Sequence, residues 1–194
     1  RPFDADRKGL NLGDGACAVI LEDPAQAAKR GAEVRFVLAG AGKSADAFHI
    51  TQPESSGAQL ERAVREALEQ ADLTVSDIAY INAHGTSTSL NDKYETLAIK
   101  AALGGAVGKV AVSSTKGTTG HGLGAAGGLE CIACIKSIET GIIPPTINYE
   151  NPDPDCDLDI TPNVARKREV NYAMNCNLGF GGHNGAMLFK KYEG

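Results

Sequence analysis

The sequence predicts an α/β fold, and three observations carry this prediction. Between residues 56 and 140, short apolar runs alternate with amphipathic stretches, which is the order of strands and helices in α/β proteins. Two of these strand-like runs each end in a loop rich in glycine, serine and threonine that contains a histidine. Two further strand-like runs near the carboxyl terminus read as a closing hairpin.

The first predicted strand runs from Gly15 to Glu22, after the motif Asn11-Leu12-Gly13-Asp14-Gly15-Ala16. The similar motif Asn177-Leu178-Gly179-Phe180-Gly181-Gly182 leads into the last predicted strand. A strand entry repeated at this distance suggests two similar halves that end in the same hairpin. The chain does not begin with methionine, and no earlier element pairs with the first strand, so we expect a preceding part of the protein to be missing here.

An amphipathic helix is predicted from Ser56 to Ala71. Ser56 and Gln59 can form a capping box at its start. One apolar stripe follows the helical period, and it consists of Leu60, Val64, Leu68 and Ala71. This helix is expected to be scaffold rather than part of a site.

The remaining elements continue the alternation. We predict strands from Ile78 to Ala83 and Lys109 to Ser114, each followed by a helix, from Asp92 to Leu103 and from Leu123 to Thr140. The paired prolines keep the segment from Ile143 to Asn148 extended. A surface turn from Asn151 to Asp155 and a hairpin of Val170 to Cys176 and Gly185 to Lys191 complete the chain.

Composition narrows the possible classes of protein. A chain of 194 residues, 42% apolar and with 23 glycines, can bury one core, or one core and a fragment of another. The net charge of −5 and the scattered lysines and arginines argue against nucleic acid as a partner. No apolar run approaches the roughly 18 residues of a membrane span, and no signal peptide is recognisable. Five cysteines without framework spacing fit reduced thiols, so we expect a cytoplasmic protein.

Three motifs allow other interpretations. The run Gly122 to Gly127 matches a dinucleotide fingerprint, but the turn before it is too long and the expected acidic residue is missing, which favours glycines for close helix packing. Cys131 and Cys134 spell a CxxC inside an apolar helix without a second pair, which favours buried thiols. A metal site of His84, His121 and His183 would need a further ligand, and none adjoins these loops.

His84 and His121 are the strongest candidate site residues. Each follows a predicted strand and has small, hydroxyl-bearing neighbours, as an accessible site requires. Because neighbouring parallel strands present their carboxyl ends at the same edge of a sheet, the two imidazoles can lie side by side. Such a pair suggests chemistry on an oxyanion or an enolate. His49 lacks this context and is more simply an ordinary loop histidine.

Several long motifs together resemble one family, the β-ketoacyl-acyl-carrier-protein synthases, which are thiolase-fold condensing enzymes of fatty-acid synthesis. The resemblance covers essentially the whole chain in the family's order, is most similar to the elongating type-two branch, and corresponds to the second part of the family's length. The motifs that carry it are Arg1-Pro2-Phe3-Asp4, Gly13-Asp14-Gly15-Ala16, the two histidine loops, Gly124-Ala125-Ala126-Gly127-Gly128-Leu129-Glu130, Pro144-Pro145-Thr146-Ile147-Asn148 and Gly179-Phe180-Gly181-Gly182.

The resemblance implies the architecture. The expected fold is a thiolase-like layered α/β/α half with a mixed five-stranded sheet. Residues 1–42 would be the last hairpin of the amino-terminal half, and residues 43–194 the carboxyl-terminal half. In the complete enzyme two such halves stack, and the protein is expected to form a homodimer.

The resemblance also implies a decarboxylative condensation of malonyl carrier protein with an acyl-enzyme. His84 and His121 would donate to the enolate oxygen, and Lys116 would pair with Glu130 to order the second histidine loop. The substrates ride on the phosphopantetheine of acyl carrier protein, so no separate cofactor or metal is expected. The family's nucleophilic cysteine lies in the other half, and this chain alone should be inactive.

The resemblance further assigns the substrate contacts: Thr86 and Thr88 would bind the phosphopantetheine arm, and Phe180 with Gly181 would gate the acyl pocket. Some residues depart from the family pattern, namely Gly117-Thr118, His183 and Leu178. These departures affect the expected chain-length preference rather than the reaction class. A polyketide ketosynthase and a non-catalytic chain-length partner subunit remain the alternatives.

Overall fold

A mixed five-stranded sheet forms the centre of the protein, whose computed structural model describes residues 1–192. The order of the strands is β1-β7-β6-β2-β3. A separate two-stranded sheet pairs β4 with β5. The strands are β1 Phe36–Ala45, β2 Tyr80–Asn82, β3 Ala111–Ser113, β4 Ile142–Ile143, β5 Arg166–Lys167, β6 Tyr172–Gly179 and β7 His183–Lys191.

The strand directions explain why the sheet is mixed. β7 pairs antiparallel with both β1 and β6, while β2 lies parallel to β6 on one side and to β3 on the other. The parallel strands bring Asn82, Ser113 and Asn175 to the same row. The carboxyl ends of β2 and β3 therefore meet at one edge of the sheet, which is where ligands bind in α/β proteins.

Helices cover both faces of the sheet. Alternating residues of the strands belong to two separate cores: Ile81 and Met174 lie in the core beneath α2 and α3, and Tyr80 and Ala173 lie in the core beneath α5. This is the predicted layered α/β/α arrangement with a mixed five-stranded sheet. The helices are α1 Pro24–Lys29, α2 Ala58–Gln70, α3 Ser89–Leu103, α4 Lys116–Thr119 and α5 Ala126–Thr140.

Most predicted elements form, although their ends differ. The apolar stripe of α2 is buried at Leu60, Val64 and Leu68, as its period requires. The predicted capping box does not form, because Gly57 is the residue before the helix and the Ser56 hydroxyl donates to Glu54. The helix predicted from residue 123 begins as a 3-10 turn, Leu123–Ala125, before α5.

The strand predicted from Gly15 to Glu22 is wrong. This segment has no regular structure, and the side chains of Val19, Ile20 and Leu21 are exposed. A strand needs a neighbour for its N–H and C=O groups, and none of the strands within residues 1–192 pairs with this segment. Strand β1 extends across residue 42, where the boundary between the two halves is predicted. The division into 1–42 and 43–194 stays a prediction.

The amino-terminal segment is docked into the carboxyl-terminal part of the chain. Phe3 is fully buried, and its N–H donates to Asp92 Oδ2 at 2.7 Å. The Asp4 carboxylate accepts from the backbone of Glu150 and Asn151 at 2.6 and 2.8 Å. Hydrogen bonds to a buried carboxylate fix the segment firmly, so it belongs to the same packed unit as the sheet.

Within residues 1–192, no helix is both long and apolar enough to cross a bilayer.

Candidate active site

His84 lies in the loop that follows β2. The loop turns sharply at Gly85, which has a φ of 38°, and a Cβ there would lie 2.4 Å from the Ser114 Cβ. Both backbone N–H groups of the turn donate to the buried Glu95 carboxylate, from His84 at 2.6 Å and from Gly85 at 2.8 Å. Ser114 Oγ donates to the Gly85 carbonyl at 2.7 Å. The first histidine loop is therefore held on both sides by buried hydrogen bonds.

His121 follows α4, and the amino-terminal segment holds it in place. Its N–H donates to the Asn11 carbonyl at 2.8 Å, and its carbonyl accepts from the Gly13 N–H at 3.1 Å. A Cβ on Gly13 would lie 2.1 Å from the Thr119 carbonyl oxygen, so only glycine permits this approach. The motif predicted to enter a strand instead pairs with the second histidine loop.

The two imidazoles lie beside each other. Their ring centroids are 5.2 Å apart, and the ring planes meet at 86° in an edge-to-face arrangement. His84 is buried and His121 is half-buried. Two ring nitrogens can thus be directed at one small group, as a pair of donors requires.

Lys116 and Glu130 form a buried ion pair behind the imidazoles. Each side chain is 3% exposed, and Lys116 Nζ donates to Glu130 Oε1. The same Nζ lies 3.3 Å from His84 Nδ1. The family resemblance implies that this pair orders the loop around His121, whereas the imidazole that Lys116 contacts is that of His84.

Both imidazoles are favoured in the neutral form. Burial lowers the pKa of His84 well below its usual range, and the Lys116 charge and His121 lower it further. Burial and Lys116 also lower the pKa of His121. The Nδ1 of His84 faces an ammonium group that can only donate, and the Nδ1 of His121 accepts from the Leu123 N–H at 3.1 Å. These partners assign the remaining proton of each neutral ring to Nε2.

A cavity of about 760 Å³ opens in front of the imidazoles. Thr86 and Thr88 line it, and their hydroxyls are 2.8 Å apart. Phe180 lines it from a loop and is 71% exposed. Gly181 lies next to Phe180 with a φ of 87°, and its N–H donates to the Ile50 carbonyl. Much of the remaining lining is apolar, contributed by Leu10, Leu90, Leu123, Ala126 and Leu178. The cavity therefore places the two imidazoles and the two threonine hydroxyls beside a largely apolar space.

Two residues of the site are not predicted from the sequence. Glu95 is fully buried under the His84 loop, and burial raises its pKa to about 7. Asn177, predicted only as part of a strand entry, donates from Nδ2 to Glu130 Oε2 at 2.6 Å. The one feature that could have drawn attention to Glu95 is that this acidic residue lies on the buried face of α3.

The cysteines are poorly suited to be nucleophiles. Cys134 and Cys176 are fully buried, and burial raises the pKa of both thiols. Burial also raises the pKa of Cys131 to about 11 and that of Cys156 to about 12. Cys17 is half-buried beside Gly128. Among residues 1–192 no group of three or more histidine, cysteine, aspartate or glutamate side chains is placed to hold a metal ion.

Comparisons with known proteins agree with this geometry. The family model described as "Beta-ketoacyl synthase, C-terminal domain" matches residues 35–150. Nodulation protein E of Rhizobium meliloti is 50% identical over 191 residues, which are 98% of this chain and 47% of that protein. The 3-oxoacyl-[acyl-carrier-protein] synthase 2 of Synechocystis is 48% identical over 193 residues, with 100% of this chain and 46% of that protein covered. The chain spans about half the length of the curated relatives it matches.

Solved structures give the same fold. The ishigamide ketosynthase/chain length factor superposes with a TM-score of 0.94 at 40% identity, covering 99% of this chain and 47% of that one. A type II PKS acyl-carrier protein in complex with its ketosynthase bound to the hexaketide superposes with a TM-score of 0.92 at 36% identity, with the same two coverages. The fold is thus thiolase-like, as predicted. The chain belongs to the beta-ketoacyl synthase family and comprises its carboxyl-terminal domain.

Proposed function

We propose that this chain is the carboxyl-terminal half of a 3-oxoacyl-acyl-carrier-protein synthase that elongates fatty acids. The observation that carries the proposal is the pair of neutral imidazoles, 5.2 Å apart, that line a largely apolar cavity. Condensing chemistry needs donors where an enolate oxygen develops, and an apolar space for an acyl chain. The identity to the synthase 2 of Synechocystis supports the same reaction class.

In the proposed reaction, malonyl carrier protein loses carbon dioxide, and the electron pair of the broken C–C bond moves onto the thioester as an enolate. The Nε2–H groups of His84 and His121 stabilise the enolate oxygen, at about 3 kcal/mol for each donor. The enolate carbon then attacks the acyl thioester of a cysteine outside this chain. A new C–C bond forms, and the bond from the acyl carbon to that cysteine sulfur breaks.

Other residues orient the groups in this scheme. Lys116 and Glu130 keep the local charges balanced around the neutral His84 ring. Thr86 and Thr88, whose hydroxyls lie at the cavity wall, hold the phosphopantetheine arm of acyl carrier protein. The ketosynthase solved with an acyl-carrier protein supports this choice of partner. We place the complete enzyme in the cytoplasm as a homodimer without a separate cofactor.

Polyketide synthesis is the second candidate. Two structural neighbours carry it, because one is a ketosynthase/chain length factor and the other is a type II PKS ketosynthase. A non-catalytic chain-length partner would have little use for two imidazole donors, so the presence of His84 and His121 favours a condensing subunit. The residue at the nucleophile position of the complete protein separates a condensing subunit from the partner subunit: cysteine for the former, and another residue such as glutamine for the latter.

The proposal predicts that the 194-residue chain alone forms no β-ketoacyl product from acyl and malonyl carrier proteins, because it lacks the nucleophile. We expect the complete protein to form the product under the same conditions. The isolated chain should also self-associate, since apolar side chains such as Ile132, which is 40% exposed, are uncovered. Acylation mapped by mass spectrometry to Cys17, Cys131, Cys134, Cys156 or Cys176, together with turnover by a monomeric chain, would contradict this prediction.

Phe180 is proposed to control which acyl chains enter the cavity. Replacing it with alanine or tryptophan in the complete protein should change the lengths of the acyl chains accepted, because the side chain lines the cavity and is 71% exposed. Acyl loading measured over a series of chain lengths checks this, with malonyl decarboxylation as the internal control. An unchanged length profile with altered decarboxylation would rule out the gating role.

A further inference from the structure

The side chain of Asn177, near the end of β6, lies between two groups of the site. Its Nδ2 donates to Glu130 Oε2 at 2.6 Å and is 3.5 Å from His84 Nδ1. Its Oδ1 accepts from Asn175 Nδ2 at 2.8 Å. The Asn177 amide therefore donates to the ion pair and accepts from Asn175 on the same strand. This fixes the orientation of the amide, because Glu130 offers only acceptors while ionised.

The two oxygens of the Glu130 carboxylate have different partners. Oε1 accepts from Lys116, and Oε2 accepts from Asn177. Asn177 is the one hydrogen-bond donor to Oε2 within residues 1–192. If Oε2 lost this donor, the carboxylate could turn and bind Lys116 with both oxygens, because charge-assisted bonds to a buried carboxylate are strong. The ammonium would then move away from His84 Nδ1, which it now meets at 3.3 Å.

We propose that Asn177 is a positioning residue of this site: it holds Glu130 so that Lys116 stays within reach of His84 Nδ1, which keeps the imidazole proton on Nε2. This inference rests on the proposed function, in which that Nε2–H donates to the enolate oxygen. Asn177 acts through Glu130 and Lys116, and Asn175 anchors it from β6. No direct contact with substrate is assigned to it.

An amide suits this position better than other side chains of its size. Aspartate would place a second carboxylate against Glu130, and alanine would offer no donor. The approach is close, since a Cβ on Gly127 would lie 3.2 Å from Asn177 Oδ1. Gly127, at the start of α5, therefore leaves room for the amide, and the helix packs closely against it.

The first test replaces Asn177 with alanine in the complete protein and follows carbon dioxide release from malonyl carrier protein against pH. We expect kcat to fall between about tenfold and a hundredfold, as for a displaced catalytic group, with KM little changed. The acidic limb of the kcat profile should move to higher pH. The reason is that a carboxylate that loses a donor takes up its proton more readily, and the Asn177 hydrogen bond is one of the interactions that lower the pKa of Glu130 against burial.

Other titratable groups around Glu130 do not account for such a shift. Tyr80 on β2, Cys131 and Cys134 on α5 and Cys176 on β6 all have a pKa raised by burial, so they stay neutral over the acidic range. Glu95 and the two imidazoles titrate in the wild-type protein and in the Asn177 variant alike. No hydrogen bond joins Asn177 to Glu95 or to His121 within residues 1–192. A shift of the limb on replacing Asn177 therefore reports on Glu130, Lys116 and His84.

Two further variants sharpen the result. Asn177→Asp keeps the shape and adds a like charge, so the acidic limb should move further up than in Asn177→Ala, and this variant also serves if the alanine variant does not fold. Asn171→Ala is the matched control, since Asn171 is an exposed asparagine that precedes β6 and its side chain donates to Glu169, outside the site. It should behave like the wild type. A rate within twofold of the wild type in both Asn177 variants, or a lower rate with an unmoved limb, would overturn the inference.

A readout without turnover separates this inference from the proposed function. In the complete protein labelled with ¹⁵N-histidine, the His84 signals, assigned by their loss in His84→Ala, should show a bare Nδ1 and a protonated Nε2. Asn177→Ala should shift these signals toward the other tautomer. If this shift occurs in a protein that releases no carbon dioxide, the proposed function fails and the positioning role stands. If the wild-type protein is active and the signals do not shift, the positioning role fails alone.

Discussion

Replacing His84 or His121 with alanine in the complete protein should lower carbon dioxide release from malonyl carrier protein by at least about a hundredfold. Each ring supplies one hydrogen bond to an oxygen that becomes negative in the reaction, and removing such a donor typically costs about 3 kcal/mol. Transfer of the acyl group to the enzyme does not involve this oxygen. Acyl loading should therefore be largely retained in both variants.

The measurement follows labelled carbon dioxide and acyl-enzyme formation in the same preparations. His49→Ala is the control, because this histidine is exposed on a loop and its ring accepts from the backbone N–H groups of residues 51 and 52. Its rate of decarboxylation should stay near the wild-type value. Normal carbon dioxide release from either His84→Ala or His121→Ala would remove that histidine from the proposed mechanism.

The pH dependence of the wild-type protein provides an independent check on the imidazoles. An unperturbed histidine gains a proton as the pH falls through about 6.5. Burial lowers the pKa of both His84 and His121, so each ring takes up its second proton at a pH below that value. Any inflection of decarboxylation from these groups should accordingly lie below about pH 6.5. An inflection at about pH 6.5 that disappears in His121→Ala would show an imidazole with an ordinary pKa.

Replacing Lys116 with alanine should also reduce decarboxylation by about a hundredfold or more, because the ammonium sets the tautomer of His84 and balances Glu130. The loss of one partner of a buried pair also destabilises the fold, by about 3 kcal/mol. Protonation of Glu130 limits this cost, since burial already raises the pKa of that carboxyl. Carbon dioxide release and chemical unfolding of the complete protein measure the two effects.

A double variant separates the chemical effect of Lys116 from its effect on stability. In Lys116→Met with Glu130→Gln, no buried charge is left unpaired, so the free energy of unfolding should return toward the wild-type value. Decarboxylation should stay low, because the ammonium that faces His84 Nδ1 at 3.3 Å is absent. Lys136→Ala, an exposed lysine on α5 paired with Glu139, is the control. A wild-type rate in Lys116→Ala would show that the lysine only stabilises the fold.

The local pattern of the sequence is sufficient to predict the order of strands and helices and the position of the two histidine loops. Apolar periodicity and turn residues act over a few neighbours, so Leu60, Val64 and Leu68 could be assigned to one buried stripe without any knowledge of the fold. The long motifs also predicted the thiolase-like fold and the family. A short strand such as β2 could be located because an apolar run leads into a polar loop.

The sequence by itself thus determined the elements, the family and the pair of histidines, while the tertiary structure decided which groups surround them. His84 lies close to Lys116, which is 32 residues away in the sequence, and to Asn177, which is 93 residues away. The segment at Gly13 pairs with the loop of His121, and the run from Gly15 to Glu22 forms no strand because no strand among residues 1–192 pairs with it. Contacts of this kind depend on which elements the sheet brings together. A local sequence pattern cannot predict them, because the burial and the pKa of a side chain are set by distant parts of the chain.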